Sequence, residues 1–294
     1  MALYLKEVLA VRSFERWKSR QTLIGVYRRY QAPIFLAADE LAGRVYGLAR
    51  HDNDREIQEI QISILEKDFD RPAHCMVGDH YFQYRFVSNV YRFCSFLGWI
   101  ELYRRDIGTL DVDSLDRNRL LESCLGNVRS ALADGWVNQH DDIKDWRDCL
   151  FFREELRAIG YRMVCDGEQL ALVDFGTFFE TLRKDPKGTG DARWFVQAAH
   201  FYVGLERKKD FRMVRMRMLK VFLTDLMEVL QPGRIDRSQV ETALELFASI
   251  ERETGGPNWA PKGVDSGAIK RRLQYASTSH EANRFMIFLQ KLKS

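Results

Sequence analysis

The sequence predicts an all-α protein, a multi-helix bundle with a long, aromatic-rich central helix. The segment from residue 80 to residue 105 holds nine aromatic residues and four arginines. Its apolar residues recur at alternating spacings of four and three, which is the periodicity of a helix rather than of a strand. One row comprises Phe86, Val90, Phe93, Leu97 and Ile100, and a second row comprises Tyr84, Val87, Tyr91 and Cys94. A face that wide indicates a helix packed on several sides.

The chain before this segment is predicted to form three helices. Residues 2 to about 30 form the first, which becomes strongly basic along its length. Pro33 starts the second, because a proline at the first helical position has no N–H to leave unsatisfied. Its apolar stripe is Ile34, Ala38, Leu41, Val45 and Leu48. Residues 57–65 alternate like a strand, but their Glu and Gln content favours a third helix.

Two more helices and one hairpin are expected after the aromatic segment. A loop at 108–113 precedes a helix that runs from about 114 to 138. The next helix ends near 160–164, and its apolar residues are Trp146, Leu150, Phe152, Leu156, Ile159 and Met163. Asp166-Gly167 is a turn signal before a short apolar run, which predicts one short β-hairpin near 163–175.

The stretch KDPKGTGD, at residues 184–191, is the best candidate for a domain boundary. It divides the chain into a helical bundle, residues 1–183, and a second helical block, residues 192–294, continuous with the first or packed on it. Helices are predicted in this block at 192–206, 208–230 and 237–253, with a final one after a loop rich in Gly and Pro.

Composition excludes some classes of protein. The formal net charge is only +3, and 32 of the 45 basic residues are arginine. The five cysteines are scattered without a CxxC pair, which favours reduced thiols and a cytoplasmic location. The positions of His74, Cys75, His80 and Cys94 match no common zinc pattern, so we expect no metal and no other cofactor. The charges in residues 6–16 argue against a signal peptide, and Arg85, Arg92 and Glu101 argue against a transmembrane segment.

Three stretches resemble the signatures of a group of uncharacterised bacterial helical proteins. They are PIxxAAxxLxxRxY at residues 33–46, WxExxRRxI at 99–107 and RExxRAIG at 153–160, in that order. The resemblance covers about the first 170 residues. It implies a compact helical unit and no known activity. It also implies an internal ion-pair network of Arg44, Glu101, Arg104, Arg105, Arg153, Glu154 and Arg157.

Catalytic motifs are scarce, and one pair of residues is the sharpest candidate. The chain has no Gly-rich phosphate loop, no GxSxG and no HExxH. Arg193 and His200 are seven residues apart, so a helix would project both from one face. This Arg and His pair resembles the signature of HEPN-type ribonucleases. The resemblance implies a metal-independent ribonuclease in which the pair polarises a phosphate and transfers a proton.

The predicted helix at 208–230 is the candidate anion or nucleic-acid site. Its basic residues fall on two flanks, Lys208, Arg212 and Arg215 on one and Lys209, Arg217 and Lys220 on the other. Such a helix can follow a phosphate backbone. The alternative is an ordinary solvated polar face. Met213 and Met216 lie among these groups, and exposed methionines there would indicate a protein-binding surface.

Together these patterns favour a non-enzymatic interaction or adaptor protein of a bacterial cell. A protein partner or self-association is expected, and the Arg-rich face makes nucleic acid a further candidate partner. Peripheral contact with a membrane stays open. The alternative is the HEPN-like ribonuclease that uses Arg193 and His200.

Overall fold

The computed structural model describes residues 2–50, 79–108, 116–133, 150–165, 171–203, 211–253, 259–261 and 263–293. These residues form nine α-helices and no β-strand, so the predicted all-α fold is confirmed. The helices are α1 (Ala2–Arg50), α2 (Asp79–Ile107), α3 (Asp116–Ala133), α4 (Arg153–Met163), α5 (Phe175–Lys184), α6 (Arg193–His200), α7 (Phe211–Leu230), α8 (Arg237–Glu253) and α9 (Ser266–Lys293). Within the described ranges, no helix combines the length and the apolar composition needed to cross a lipid bilayer.

α1 is one uninterrupted helix, so the predicted division into two helices at Pro33 is wrong. A proline inside a helix removes one backbone hydrogen bond and crowds the preceding turn, which costs about 3 kcal/mol. Packing offsets this cost, because α1 lies along both α2 and α7. Its buried residues continue on both sides of the proline, from Leu23 to Val45. Tertiary contacts here override a local preference.

Two helices lie at the centre of the bundle. α2 is the predicted aromatic helix, and it packs against α1, α4, α5 and α6. Its predicted apolar row from Phe86 to Ile100 is buried. α7 packs against α1, α3, α8 and α9, and none of its described side chains is exposed. The chain therefore encloses a helix that carries four of its predicted anion-binding residues.

One hydrophobic core includes residues from both sides of the 184–191 stretch. The rings of Phe178 on α5 and Phe195 on α6 have centroids 4.5 Å apart across this connection. The connection itself is a tight turn around Asp185, whose carboxylate accepts hydrogen bonds from the backbone N–H groups of three later residues. A domain boundary at this turn stays a prediction.

A single antiparallel bridge between Val164 and Leu172 takes the place of the predicted hairpin. Two backbone hydrogen bonds, of 2.8 and 3.1 Å, flank the bridge. α4 ends directly before the bridge and α5 begins three residues after it, so no strand forms in the described residues. The helix predicted at 57–65 lies outside the described residues.

α2 and α4 approach each other closely because each carries a glycine at the crossing. A Cβ atom at Gly160 would lie 2.6 Å from the carbonyl oxygen of Leu97. A Cβ atom at Gly98 would lie 2.8 Å from the Cβ of Met163. Only a residue without a side chain fits at such distances. Gly160 ends the RExxRAIG stretch, so this stretch takes part in the contact between α2 and α4.

Candidate functional site

The candidate catalytic pair lies at the two ends of one short helix. Arg193 is the first residue of α6 and His200 is the last, and both side chains are exposed. Seven residues place them about 10 Å apart along the helix axis. The guanidinium of Arg193 lies 5.2 Å from the ring centroid of Trp194. The pair is on an open surface, and neither residue lines either of the two clefts described below.

Two arginines of the predicted basic helix instead bind the ends of other helices. Arg212 donates from Nη1 to the carbonyl oxygens of His200, the last residue of α6, and of Val203, at 3.2 and 2.6 Å. Arg215 is fully buried and donates from Nη1 to the carbonyl oxygen of Ala131, at 2.7 Å, in the last turn of α3. Carbonyls at a helix end lack partners within their own helix and attract cations. Both arginines therefore stabilise the fold.

Lys220 is also inside the protein, with 3% of its surface exposed. Burial lowers its pKa to about 8, and Asp39 partly offsets this effect. Its ammonium lies 6.0 Å from the ring centroid of Tyr46 on α1. As surface anion ligands, Arg215 and Lys220 were wrong predictions, because α7 is enclosed by four helices. Lys208 and Lys209 lie outside the described residues, and Arg217 is half-buried.

The methionines of α7 give no protein-binding surface. Met213 and Met216 are buried, at 1% and 0% exposure, among the apolar residues of the core. The sequence placed them off the main apolar stripe. They are buried nonetheless, because four helices pack around α7 and cover residues outside its main apolar stripe as well.

The predicted ion-pair network forms in part, at the crossing of α2 and α4. The buried carboxylate of Glu101 lies 3.9 Å from the Nε of Arg157. Burial lowers the pKa of Arg104, and nearby carboxylates partly offset this effect. Arg105 lies 4.5 Å above the ring of a tyrosine on α4. The other members are Arg44, half-buried on α1, and Arg153 and Glu154, exposed at the start of α4.

A second buried ion pair was not predicted. Asp225 on α7 is fully buried and accepts two hydrogen bonds from Arg272 on α9, at 2.7 and 2.6 Å. The thiol of Cys124 donates to the same carboxylate at 3.5 Å. Burial raises the pKa of Asp225, and the hydrogen bonds from Arg272 act against that rise. The sequence holds no signal for this pair, because its members are 47 residues apart.

The start of α1 is the most exposed part of the described molecule. Every described side chain from residue 11 to residue 22 is exposed except the half-buried Ser19, and Leu23 is the first buried one. Val11, Phe14 and Trp17 are 57%, 62% and 57% exposed. The rings of Phe14 and Trp17 stack with centroids 5.9 Å apart. We call these three residues the apolar stripe. Its spacing is visible in the sequence, but the sequence does not show that these three side chains are exposed.

Basic side chains lie on the other side of this helix. Arg12 and Arg20 are exposed. At 100° per residue, their mean direction is about 160° away from that of the apolar stripe. Lys18 is exposed as well and points between Val11 and Phe14. The start of α1 thus presents to solvent an apolar side that also holds Lys18, and an opposite side that holds two arginines.

Two clefts open on the surface of the described bundle. One, of about 230 Å³, is polar and is lined by Arg129 on α3 and Arg153 on α4. The other, of about 510 Å³, is mainly apolar and lies between α3, α7 and α9. Its apolar lining comes chiefly from Leu120, Val229 and Tyr275, with charged groups at the rim.

No protein-family model matches the chain, and no curated protein and no solved structure is significantly similar to it. The resemblance to a group of uncharacterised bacterial proteins therefore stays an expectation. Function has to be inferred from the surface features of the molecule itself, namely the apolar stripe and the two clefts.

Proposed function

We propose that this protein is a non-enzymatic interaction protein, of the adaptor type, that docks a partner protein on the start of α1. One observation carries the proposal: the apolar stripe is more than half exposed on a helix that extends beyond the core. Adjacent exposed aromatic residues are a common mark of a binding surface. We place the protein in the bacterial cytoplasm, which the free thiols of Cys94, Cys124 and Cys165 support.

The partner is expected to offer an apolar groove with an acidic rim. A helix that binds in a groove inserts residues spaced three or four apart, as the apolar stripe is. Covering the exposed part of the three side chains would contribute roughly 3–5 kcal/mol before the entropy of docking is subtracted. Carboxylates at the rim would complement Arg12, Lys18 and Arg20.

The two sides of the helix favour a protein over other partners. A lipid surface would cover the apolar stripe and leave Arg12 and Arg20 pointing away from the headgroups, because the two sets face opposite directions. A nucleic acid would engage the arginines and leave the apolar stripe in water. A protein groove that wraps around a helix can contact both sides.

The test compares the wild type with Phe14→Ala/Trp17→Ala and with Tyr275→Ala. Tyr275 is 73% exposed on α9 and serves as a matched exposed aromatic residue. A protein captured from the host bacterium is expressed, purified and titrated against each variant by calorimetry. We expect the double variant to raise the dissociation constant at least about tenfold. The Tyr275→Ala control should leave it unchanged.

Several results would contradict the proposal. One is that no captured protein needs Phe14 and Trp17 for binding. Another is that sedimentation of the pure wild type gives a dimer that the double variant abolishes, because the occupant would then be a second copy of the chain. A third is stripe-dependent binding to total RNA, or to vesicles of phosphatidylcholine and phosphatidylglycerol, when no protein binds. Circular dichroism of all variants checks that the helices are intact.

A further inference from the structure

The polar cleft between α3 and α4 has the chemistry of an anion site. The polar residues that line it within the described ranges are two arginines and three neutral side chains: Arg129, Arg153, Ser123, Asn127 and Ser130. Arg153 is the first residue of α4 and the others lie on α3. Among the described residues that line the cleft, none is a carboxylate. Two guanidinium groups make this described lining positive, and its neutral groups can all donate hydrogen bonds.

Two of these polar side chains form the buried part of the lining. Asn127 is 8% exposed and Ser130 is 6% exposed. Neither side chain has a hydrogen-bond partner among the residues that the structure describes. Both line the cleft, so a ligand in the cleft could accept hydrogen bonds from them.

The two arginines also differ from their neighbours. On α4, Arg157 approaches Glu101 and Arg162 pairs with Asp191 at 2.7 Å. The Nε of Arg129 donates to the carbonyl oxygen of residue 125 in its own helix, at 3.4 Å. No described carboxylate forms an ion pair with Arg129 or Arg153. Two guanidinium groups at one cleft can make bidentate contacts with an oxyanion.

We propose that this cleft binds a small phosphate-bearing anion. Arg129 and Arg153 hold the phosphoryl oxygens, and Ser130 and Asn127 donate hydrogen bonds to them. The cleft has a volume of about 230 Å³, well above the roughly 10–15 Å³ that a cavity needs to hold one water molecule. That is enough for a phosphoryl group and a small attached group. The site is separate from the start of α1 and does not depend on the proposed docking function.

Calorimetry with the full chain tests the site. The probes are inorganic phosphate, pyrophosphate and adenosine monophosphate, each at constant ionic strength and compared with sodium chloride. The variants are Arg129→Ala and Arg153→Ala, and Arg252→Ala is the control. Arg252 donates from Nε to the carbonyl oxygen of Ala248 at 3.4 Å, which is the same helical contact that Arg129 makes, but it is outside the cleft.

We expect saturable binding of at least one phosphate-bearing probe and no saturable binding of chloride. Arg129→Ala and Arg153→Ala should each weaken binding at least about tenfold, and Arg252→Ala less than twofold. Tighter binding of adenosine monophosphate than of inorganic phosphate would identify a nucleotide as the source of the phosphoryl group, and the reverse order would identify free phosphate. The proposal is overturned if the wild type binds none of the three probes. It is also overturned if Arg252→Ala loses as much affinity as Arg129→Ala, or if neither cleft variant loses any.

Discussion

Replacing Lys220 by methionine should stabilise the protein, and the gain should depend on pH. The lysine lies in the middle of α7, 3% exposed, and no described carboxylate forms an ion pair with it. Burial lowers its pKa from 10.5 to about 8, and Asp39 partly offsets this effect. Methionine has a similar length and no charge, so it can occupy the same space.

The size of the effect follows from the shift in pKa. Below about pH 8 the lysine is charged in both the folded and the unfolded chain, and the folded state bears the whole cost of the buried charge. At 1.36 kcal/mol per unit of pKa, this cost is about 3 kcal/mol at pH 7. Between pH 8 and 10.5 the folded chain releases its proton first, so the cost falls as the pH rises, to below about 1 kcal/mol at pH 10.

Urea unfolding of the wild type and Lys220→Met at pH 7 and pH 10 measures this difference. Burial raises the pKa of Cys94 and of Cys124, so both proteins should lose stability above about pH 9. Subtracting one protein from the other at each pH removes that common loss. The stabilisation by methionine should be about 2.5 kcal/mol larger at pH 7 than at pH 10. Lys18→Met, at an exposed position, should change the free energy of unfolding by less than about 0.5 kcal/mol at either pH. A gain that is equal at both values of pH would refute the reasoning.

Three further changes test other parts of the structure. Gly160→Ala should destabilise the protein by about 1–3 kcal/mol in thermal unfolding, because its Cβ would overlap α2. Gly43→Ala is the control, because its Cβ would meet nothing within 4 Å, and it should stabilise the protein by up to about 1 kcal/mol. Asp225→Ala should cost about 3–5 kcal/mol in urea unfolding because it leaves a cation unpaired, and Glu180→Ala, in an exposed pair, less than about 1 kcal/mol. Total RNA incubated with the protein in EDTA should stay intact with both the wild type and His200→Ala. Cleavage that resists EDTA and is lost in the variant would favour the ribonuclease.

Much of the fold was visible in the sequence because helical periodicity reports burial. The predicted apolar row of α2, from Phe86 to Ile100, is no more than 4% exposed. The prediction at 237–253 has the same bounds as α8. The break predicted at Pro33 was wrong for a physical reason. A local rule measures the cost of the proline, and only the folded chain supplies the contacts with α2 and α7 that outweigh it.

The candidate site was less predictable, because charge alone does not show where a residue lies. Charges are costly to bury, so Arg215 and Lys220 were predicted to lie on the surface. The structure gives Arg215 a carbonyl at the end of α3, and a residue 84 positions away cannot be identified from spacing. The same limit applies to the polar cleft, where Arg129 and Arg153 meet only because α3 and α4 pack together.

The continuity of α1 through Pro33 also bears on how the apolar stripe would bind. A helix that began at Pro33 would leave Val11, Phe14 and Trp17 on a separate segment, free to take many directions. In the structure, the apolar stripe belongs to the same continuous helix as the buried residues from Leu23 onward. This buried part of α1 packs on α2 and α7. The direction of the apolar stripe is thus fixed by the core before a partner arrives. A partner then loses less conformational entropy on docking, so three moderate apolar contacts can suffice for binding where a loose segment would need more.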